Sequence, residues 1–342
     1  MALPPDLRWH DVREWGVEGK GWTDTDHYFD RLPARAKGVV RQPVWHLSHH
    51  ATGMCVRFQT DASAIYARWT LRQLRDPWPL LHMTPVGSSG LDLYAQSPEG
   101  RWWWEGIGSP QGYPSPQVAL VGDLIAERRA HLLYLPLADG VEALEIGVPP
   151  DAAFDGLPPR RVPPMAFYGT SIVHGAAATR PGMTHVAILG RRLGCPVLNL
   201  GFAGEGKMEP EVAALLAELE PCVYVVDCLP NMTTLEVAER AAPLVRTLRA
   251  ARPHTPIVVV EDRTFANAAL RRGVRQAHTD RRAALGAAYQ MLLAEGASGL
   301  HCVAGERLLG DDGEATLDGS HPTDLGFMRM ADTLEPILRP LI

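Results

Sequence analysis

The chain has 342 residues, 46% of them hydrophobic and 21% charged, with a formal net charge of −6. This length exceeds what one hydrophobic core usually organises, so two domains are expected, and the slightly acidic balance excludes a broad basic surface for nucleic acid or anionic lipid. The five cysteines are scattered without a close metal-ligand pair, which predicts reduced thiols. Because no apolar stretch has the length of a signal-peptide core or a membrane span, we expect a soluble, cytoplasmic protein that does not bind membranes.

Residues 1–150 contain short runs that are typical of β-strands. These runs are rich in β-branched and aromatic residues and are separated by Gly, Pro, Asp and Ser. They cover 54–58, 64–70, 91–94, 101–104, 131–135 and 143–146. Such a series predicts an all-β sandwich domain. Its aromatic residues, which include most of the nine tryptophans, are expected to pack between two sheets, with a sugar-binding platform as the alternative.

A proline-rich segment at 151–164 is interpreted as a linker, and the periodicity changes after it. Strands are predicted at 165–170, 196–200, 222–226 and 256–260, and helices at 184–193, 209–219, 235–251 and 275–294. This alternation predicts a second domain, 165–342, of the α/β class, in which helices cover both faces of a parallel sheet. Functional residues of such a domain cluster at the carboxyl ends of the strands.

Ser171 directly follows the first of these strands, in the segment Gly169-Thr170-Ser171. Helix N-terminal N–H groups at this place favour developing negative charge, so a hydroxyl held there can act as a nucleophile. The alternative is that Ser171 only caps the helix, since serine is a preferred N-cap residue. His174 lies three residues later and is a local candidate for the base.

Four further positions complete a possible set of catalytic groups. Asp318 precedes His321 by three residues, so its carboxylate can hold the imidazole Nδ1–H and leave Nε2 free as a base. Gly204 and Asn231 follow the second and third strands, where a backbone N–H and a side-chain amide can stabilise an oxyanion. A surface turn, a turn glycine and a helix-capping asparagine are the respective alternatives.

The segment Gly201–Lys207 also has the Gly-x-x-x-x-Gly-Lys spacing of a phosphate-binding P-loop. The next residue is Met208, however, where a P-loop needs a Ser or Thr hydroxyl as a Mg²⁺ ligand. A nucleotide-binding function is therefore disfavoured.

The order of these motifs resembles the four sequence blocks of the SGNH, or GDSL-type, hydrolases. The blocks are the Gly-x-Ser that ends at Ser171, the Asn-x-Gly-x-x-Gly of 199–204, Asn231, and the Asp-x-x-His-Pro of 318–322. The resemblance covers 163–342, and Gly90-Leu-Asp-Leu-Tyr94 is similar to the Gly-x-Asp-Leu-Tyr motif of the small domain that precedes one bacterial branch of that superfamily. Two departures are a Thr at 170 in place of the usual Asp, and a Pro at 230 in a block that is usually Gly-x-Asn-Asp.

This resemblance implies a fold and a set of roles. The fold is a three-layer α/β/α, flavodoxin-like hydrolase domain preceded by a jelly-roll-like sandwich. Ser171 is the implied nucleophile, His321 the general base and then acid, and Asp318 the group that orients His321. The Ser171 N–H, the Gly204 N–H and the Asn231 amide are the implied oxyanion hole.

The resulting hypothesis is a serine esterase that hydrolyses short acyl esters, above all acetyl groups on carbohydrates, through an acyl-enzyme. Its partner is a small-molecule or oligosaccharide ester, and neither a metal nor an organic cofactor is needed. An acyltransferase that uses the same acyl-enzyme is the first alternative. A carbohydrate-binding protein with an inactive hydrolase domain is the second.

Overall fold

A computed structural model describes residues 4–72 and 82–342. The chain divides into two compact units. The first contains the residues up to Ala34, Ser48–Arg161 and Thr179–Gly182, and the second contains Arg35–Leu47, Val162–Ala178 and Met183–Ile342. Each unit therefore takes one short segment from the part of the sequence that mainly forms the other.

The first unit is built from strands, accompanied by the short helix α2 (Pro85–Ser89). Its strands are β1 (Arg8–Asp11), β2 (Cys55–Thr60), β3 (Ile65–Leu71), β4 (Leu91–Gln96), β5 (Trp102–Gly108), β6 (Gln117–Val121), β7 (Arg129–Tyr134), β8 (Val141–Val148) and β9 (Phe154–Leu157). They form two antiparallel sheets, with the orders β1-β8-β3-β6 and β5-β4-β7-β2-β9. The last strand, β9, lies within the segment 151–164 that the sequence marks as a linker.

One hydrophobic core lies between these two sheets. Ile65, Ala67 and Trp69 alternate along β3 and point into it, while the intervening residues are half-buried. Phe58 and Leu93 enter the same core from the other sheet. Two sheets that share one core in this way are a β-sandwich, as predicted.

The aromatic residues of this unit divide between the core and the surface. Trp69 is buried and donates a hydrogen bond from Nε1 to the Ser89 carbonyl at 3.1 Å. Trp103 and Trp104 lie on β5, an edge strand of its sheet, and are 60% and 52% exposed. The expectation that the tryptophans pack between the sheets therefore holds for Trp69 but not for this pair.

Strand β4 carries the Gly-x-Asp-Leu-Tyr motif and buries both of its faces. Leu91 and Leu93 join the core. The Asp92 carboxylate, on the other face, accepts hydrogen bonds from an arginine, a backbone N–H and a tryptophan. Arg180 Nη1 and the Gly182 N–H each lie 2.8 Å from Asp92 Oδ2, and Trp104 Nε1 lies 3.1 Å from Oδ1. This fully buried carboxylate is thus paired and hydrogen-bonded, which offsets the cost of removing it from water.

The second unit contains a parallel sheet covered by helices, as predicted for residues 165–342. Its strands are β10 (Met165–Gly169), β11 (Val197–Gly201), β12 (Val223–Asp227), β13 (Ile257–Val260) and β14 (Leu300–Val303). Its helices are α1 (Gln42–Ser48), α3 (Ser171–His174), α4 (His185–Leu193), α5 (Pro210–Glu218), α6 (Thr234–Ala251), α7 (Arg272–Ala294) and α8 (Asp324–Leu338). Helix α1 belongs to this unit except for its last residue, Ser48. No helix of the described residues is both long and apolar enough to cross a membrane.

The strand order of this sheet is β11-β10-β12-β13-β14, and every neighbouring pair is parallel. The chain moves outward from β10 in one direction to β11 and then returns past β10 to β12. Ligands of such sheets bind where the order reverses, at the carboxyl ends of the strands. The turn after β10 is therefore the position where a catalytic group is expected.

Candidate active site

Ser171 lies at the first position of α3, directly after the buried strand β10. The N-cap of this helix is Thr170, whose Oγ1 accepts a hydrogen bond from the Ile172 N–H at 3.3 Å. Thr170 thus performs the capping role that was the alternative explanation for Ser171. The hydroxyl of Ser171 is left for another partner.

That partner is His321, whose Nε2 lies 2.9 Å from Ser171 Oγ. On the other side of the ring, His321 Nδ1 lies 2.6 Å from Asp318 Oδ2. A carboxylate at Nδ1 favours the tautomer with the proton on that nitrogen, so Nε2 is left to accept the serine proton. The structure brings together Ser171, His321 and Asp318 in a continuous hydrogen-bonded line, whereas His174 is not the group at Ser171 Oγ.

Asp318 is held ionised by the turn in which it lies. Burial alone would raise its pKa, but hydrogen bonds from the His321 N–H at 2.8 Å, the His321 side chain and the Ser320 N–H at 2.9 Å lower the pKa to about 2. Hydrogen bonds to the charged form of a carboxyl group favour that form. At neutral pH Asp318 is therefore a carboxylate that lies beside His321 Nδ1.

The turn that carries Asp318 and His321 is closed by backbone hydrogen bonds. The Leu317 N–H donates to the His321 carbonyl at 2.9 Å, and the Ala266 N–H donates to the Gly319 carbonyl at 3.0 Å. Helix α8 begins immediately after the turn, at Asp324. The imidazole is thus positioned by a closed turn anchored on a helix.

Gly204 and Asn231 lie beyond the ends of β11 and β12, the two strands that flank β10. Gly204 has φ +75°, a left-handed conformation that glycine adopts without strain. Asn231 ends a short 3₁₀-helix, Leu229–Asn231, and its N–H donates to the Cys228 carbonyl at 3.1 Å. Both positions follow the carboxyl ends of their strands, as Ser171 follows the carboxyl end of β10.

The loop that carries Gly204 packs tightly on the backbone that leads to Ser171. The Phe202 N–H donates to the Gly169 carbonyl at 2.9 Å. A Cβ atom added to Gly206 would lie 2.1 Å from that same carbonyl oxygen and 3.0 Å from Thr170 N. A side chain at 206 would therefore displace the chain directly before the candidate nucleophile.

In the same loop, the lysine and the backbone N–H that a phosphate-binding loop would offer to phosphate are bonded to other protein groups. Lys207 Nζ lies 3.6 Å from Glu205 Oε2, and the Met208 N–H donates to the Tyr168 hydroxyl at 3.0 Å. Arg41 bonds to both Glu205 and Glu209, with its Nε 2.7 Å from Glu209 Oε1. Arg41 comes from the segment Arg35–Leu47 and was not anticipated, because no local pattern links it to a loop more than 160 residues away.

Sequence reasoning also missed a buried ion pair beneath the site. Asp227, at the end of β12, pairs with Arg263, which follows β13, and both side chains are almost fully buried. Burial raises the pKa of Asp227, and the charge of Arg263 offsets part of that rise. Burial and the charge of Arg263 also lower the pKa of His185 to about 3. The only sequence signal for the pair of Asp227 with Arg263 was Asp227 itself, an acidic residue that ends an apolar strand.

Two family models match this chain. Residues 163–339 match the GDSL-like lipase/acylhydrolase family, and residues 7–154 match the GxDLY N-terminus of SGNH-hydrolase-type esterases. A search of curated proteins finds no match.

Solved structures resemble the chain over nearly its whole length. A Bacteroides ovatus protein described as a GDSL-like lipase is 33% identical over 98% of both chains, with a TM-score of 0.91. A salicylyl-acyltransferase from a tetracycline biosynthetic pathway is 17% identical over 99% of this chain and 98% of its own, with a TM-score of 0.74. A family two carbohydrate esterase from Cellvibrio japonicus is 12% identical over 98% of both chains, with a TM-score of 0.60. The last two likenesses show a shared fold.

Proposed function

Because this chain belongs to the GDSL-like lipase/acylhydrolase family, and is thus an SGNH-type carboxylic ester hydrolase, we propose that it removes short acyl groups, above all acetyl, from carbohydrate esters by means of Ser171, His321 and Asp318. The observation that carries the proposal is the hydrogen-bonded line from Ser171 Oγ through the His321 ring to Asp318, at 2.9 Å and 2.6 Å. The same three groups, in these relative positions, perform acyl transfer in serine hydrolases on several unrelated folds.

In the proposed mechanism Ser171 Oγ attacks the ester carbonyl carbon while its proton passes to His321 Nε2. Asp318 stabilises the imidazolium that forms. His321 then gives the proton to the departing alcohol oxygen, which leaves an acyl group on Ser171. A water molecule, deprotonated by His321, attacks this acyl-enzyme and releases the acid. The mechanism uses no metal ion or organic cofactor.

The negative charge on the tetrahedral oxygen needs donors that are already in place. The Ser171 N–H at the start of α3, the Gly204 N–H and the Asn231 amide are the proposed donors. Their positions beyond the ends of three adjacent strands support this assignment. Donors fixed by the backbone need little reorganisation during the reaction, which is why such sites lower the barrier strongly.

The choice of a carbohydrate ester is supported by the fold shared with a carbohydrate esterase over 98% of both chains. The odd, scattered set of five cysteines supports a reducing compartment, and the cytoplasm is the proposed location.

Acyl transfer to an alcohol other than water is the second candidate function, because the fold is also that of a salicylyl-acyltransferase. The two activities share the acyl-enzyme and differ in what attacks it. If candidate alcohols added to the reaction accept the acyl group faster than water does, the protein is a transferase. A carbohydrate-binding protein without turnover is disfavoured, since Ser171, His321 and Asp318 are all present and bonded to one another.

The test uses the whole chain with p-nitrophenyl acetate and a panel of acetylated sugars. An alkyl fluorophosphonate should label Ser171 and abolish hydrolysis, and the Ser171→Ala and His321→Ala variants should be inactive while keeping the wild-type melting temperature. Labelling at another residue, or full activity in Ser171→Ala, would refute the assignment. Release of acetate from the sugars but not from longer acyl esters would support the proposed acyl length.

A further inference from the structure

A cleft of about 500 Å³ lies in the second unit at the start of α7. Three arginines, Arg271, Arg272 and Arg281, line it together with the apolar side chains of Phe265 and Val274. Binding sites commonly combine apolar walls with a few polar groups that fix the ligand orientation. The three polar side chains that line this cleft are all arginines and carry positive charge.

Two hydrogen bonds link the segments that line this cleft to segments of the candidate active site. Arg281 Nη1 lies 3.4 Å from the carbonyl oxygen of Met232, the residue after Asn231. The segment that contains Phe265 bonds to the catalytic turn, because the Ala266 N–H donates to the carbonyl of Gly319, the residue after Asp318. The lining of the cleft is therefore tied both to the residue after Asn231 and to the turn that carries Asp318 and His321.

The charge of the cleft is only partly compensated. Arg281 Nη2 lies 2.6 Å from Asp262 Oδ2, so one of the three arginines is paired. Within residues 4–72 and 82–342, the side chains of Arg271 and Arg272 make neither an ion pair nor a hydrogen bond. Arg271 and Arg272 are thus two adjacent cations that line the cleft without an ion-pair partner among the described residues.

We propose that this cleft binds an anionic group, a carboxylate or a phosphate, carried by the carbohydrate whose ester Ser171 attacks. The preferred substrates are then acylated acidic sugars. Planar guanidinium groups bind carboxylate and phosphate oxygens through paired, charge-assisted hydrogen bonds, and Phe265 and Val274 provide an apolar wall for the body of the ligand. The assignment depends on the proposed function, because the anionic group is attached to the esterified sugar.

The test compares matched esters on the full chain. Acetylated methyl glucoside is neutral, acetylated methyl glucuronide carries a carboxylate, and acetylated glucose phosphate carries a phosphate. The double variant Arg271→Gln/Arg272→Gln removes the two unpaired charges. Arg275→Gln is the matched control, because Arg275 is an exposed arginine on the same helix that does not line the cleft.

The wild type should prefer at least one anionic ester over the neutral ester by about tenfold or more in kcat/KM, mainly through KM. The double variant should lose about tenfold of this preference, Arg275→Gln should keep it, and added salt should reduce it. Whichever anionic ester is preferred identifies the group. Equal rates for charged and neutral esters, or a preference that survives in the double variant, would overturn the proposal.

A second measurement separates this proposal from the proposed function. Calorimetric binding of methyl glucuronide and of glucose phosphate, relative to methyl glucoside, does not depend on turnover. Weaker binding of the anionic sugars by the double variant supports the cleft even if no sugar ester is hydrolysed, and unchanged binding refutes it. Hydrolysis of the neutral ester without any preference would leave the esterase assignment intact and refute the cleft.

Discussion

Replacing Asp318 with Asn tests how the imidazole is oriented. The amide retains an oxygen that can accept from the Ser320 and His321 N–H groups, which lie 2.9 and 2.8 Å from Asp318 Oδ1. It lacks the negative charge that stabilises a protonated His321. An amide N–H directed at Nδ1 would also favour the wrong imidazole tautomer.

The effect on stability can be separated from the effect on rate. The pKa of Asp318 is about 2 instead of the ordinary 3.8, a difference that corresponds to about 2 kcal/mol before solvent screening. Because 46% of the side chain is exposed, screening reduces this to about 1 kcal/mol. A carboxyl group whose pKa is lowered by folding stabilises the protein above pH 3.8, and this contribution is lost as the pH falls towards 2. At pH 7 the variant should therefore be destabilised by about 1 kcal/mol.

The rate should change far more. Loss of the corresponding carboxylate in a buried triad lowers kcat by about 10⁴, but water can partly solvate an exposed group, so we expect a loss of about 10²–10³ for Asp318→Asn. Such a loss equals roughly 3–4 kcal/mol of activation free energy, which exceeds the stability effect. Unfolding cannot therefore account for it.

The assay is kcat for p-nitrophenyl acetate at pH 7, with the free energy of unfolding measured by urea titration on the same samples. Asp312→Asn is the control, because Asp312 pairs with Arg329 at 2.6 Å and its pKa is lowered by that bond without any contact to His321. The control should keep kcat within about twofold. A kcat within about threefold of wild type for Asp318→Asn would refute the orienting role.

Four other substitutions test the surrounding structure. Asn231→Ala should lower kcat by about 10²–10³ with little change in KM, whereas an effect mainly on KM would make this residue a substrate-positioning group. Gly206→Ala should reduce kcat and the melting temperature sharply, because the added methyl group would lie 2.1 Å from a backbone oxygen. Gly204→Ala has open space around the new methyl group, so it should lose only about 1 kcal/mol of stability from its left-handed backbone conformation. Equal effects of the two substitutions would contradict the packing of this loop. The pKa of His185 is about 3 in the folded chain instead of the ordinary 6.5. Between these two pH values the unfolded chain binds a proton at His185 that the folded chain does not bind. The free energy of unfolding should therefore decrease as the pH falls from 6.5 towards 3. His185→Phe should flatten that decrease, and an unchanged slope in urea titrations at several pH values would count against the assignment.

The sequence predicts most elements of the second unit because their signals are local. The helix predicted at 184–193 is observed at His185–Leu193, where Thr184 accepts from the Ala187 N–H and Gly194 ends the helix. The strand predicted at 165–170 is observed at Met165–Gly169. Strand β14 and helix α8 were not predicted, although the buried residues Phe327, Met330, Ala331 and Leu334 of α8 have helical spacing.

Longer-range features were outside the reach of the sequence. The strand order, the brace formed by Arg41 and the buried pair of Asp227 with Arg263 all depend on contacts between distant segments. The cap was also ambiguous, because both Thr170 and Ser171 are suitable residues, and only the backbone conformation shows that Thr170 is the N-cap. The distances within the candidate site are thus a product of tertiary structure, whereas its candidate residues are proposed from their order along the chain.

The separation in sequence between the proposed catalytic groups has a consequence for folding. Asp318 and His321 are three residues apart, whereas Ser171 and His321 are 150 residues apart. Closing the short loop costs little chain entropy, so the acid and the base can come together as a local unit before the rest of the chain is ordered. The long loop closes only when the C-terminal turn reaches the sheet, which is a contact of high sequence separation and forms slowly. Recovery of activity during refolding should therefore follow the formation of the long-range contact between this turn and Ser171.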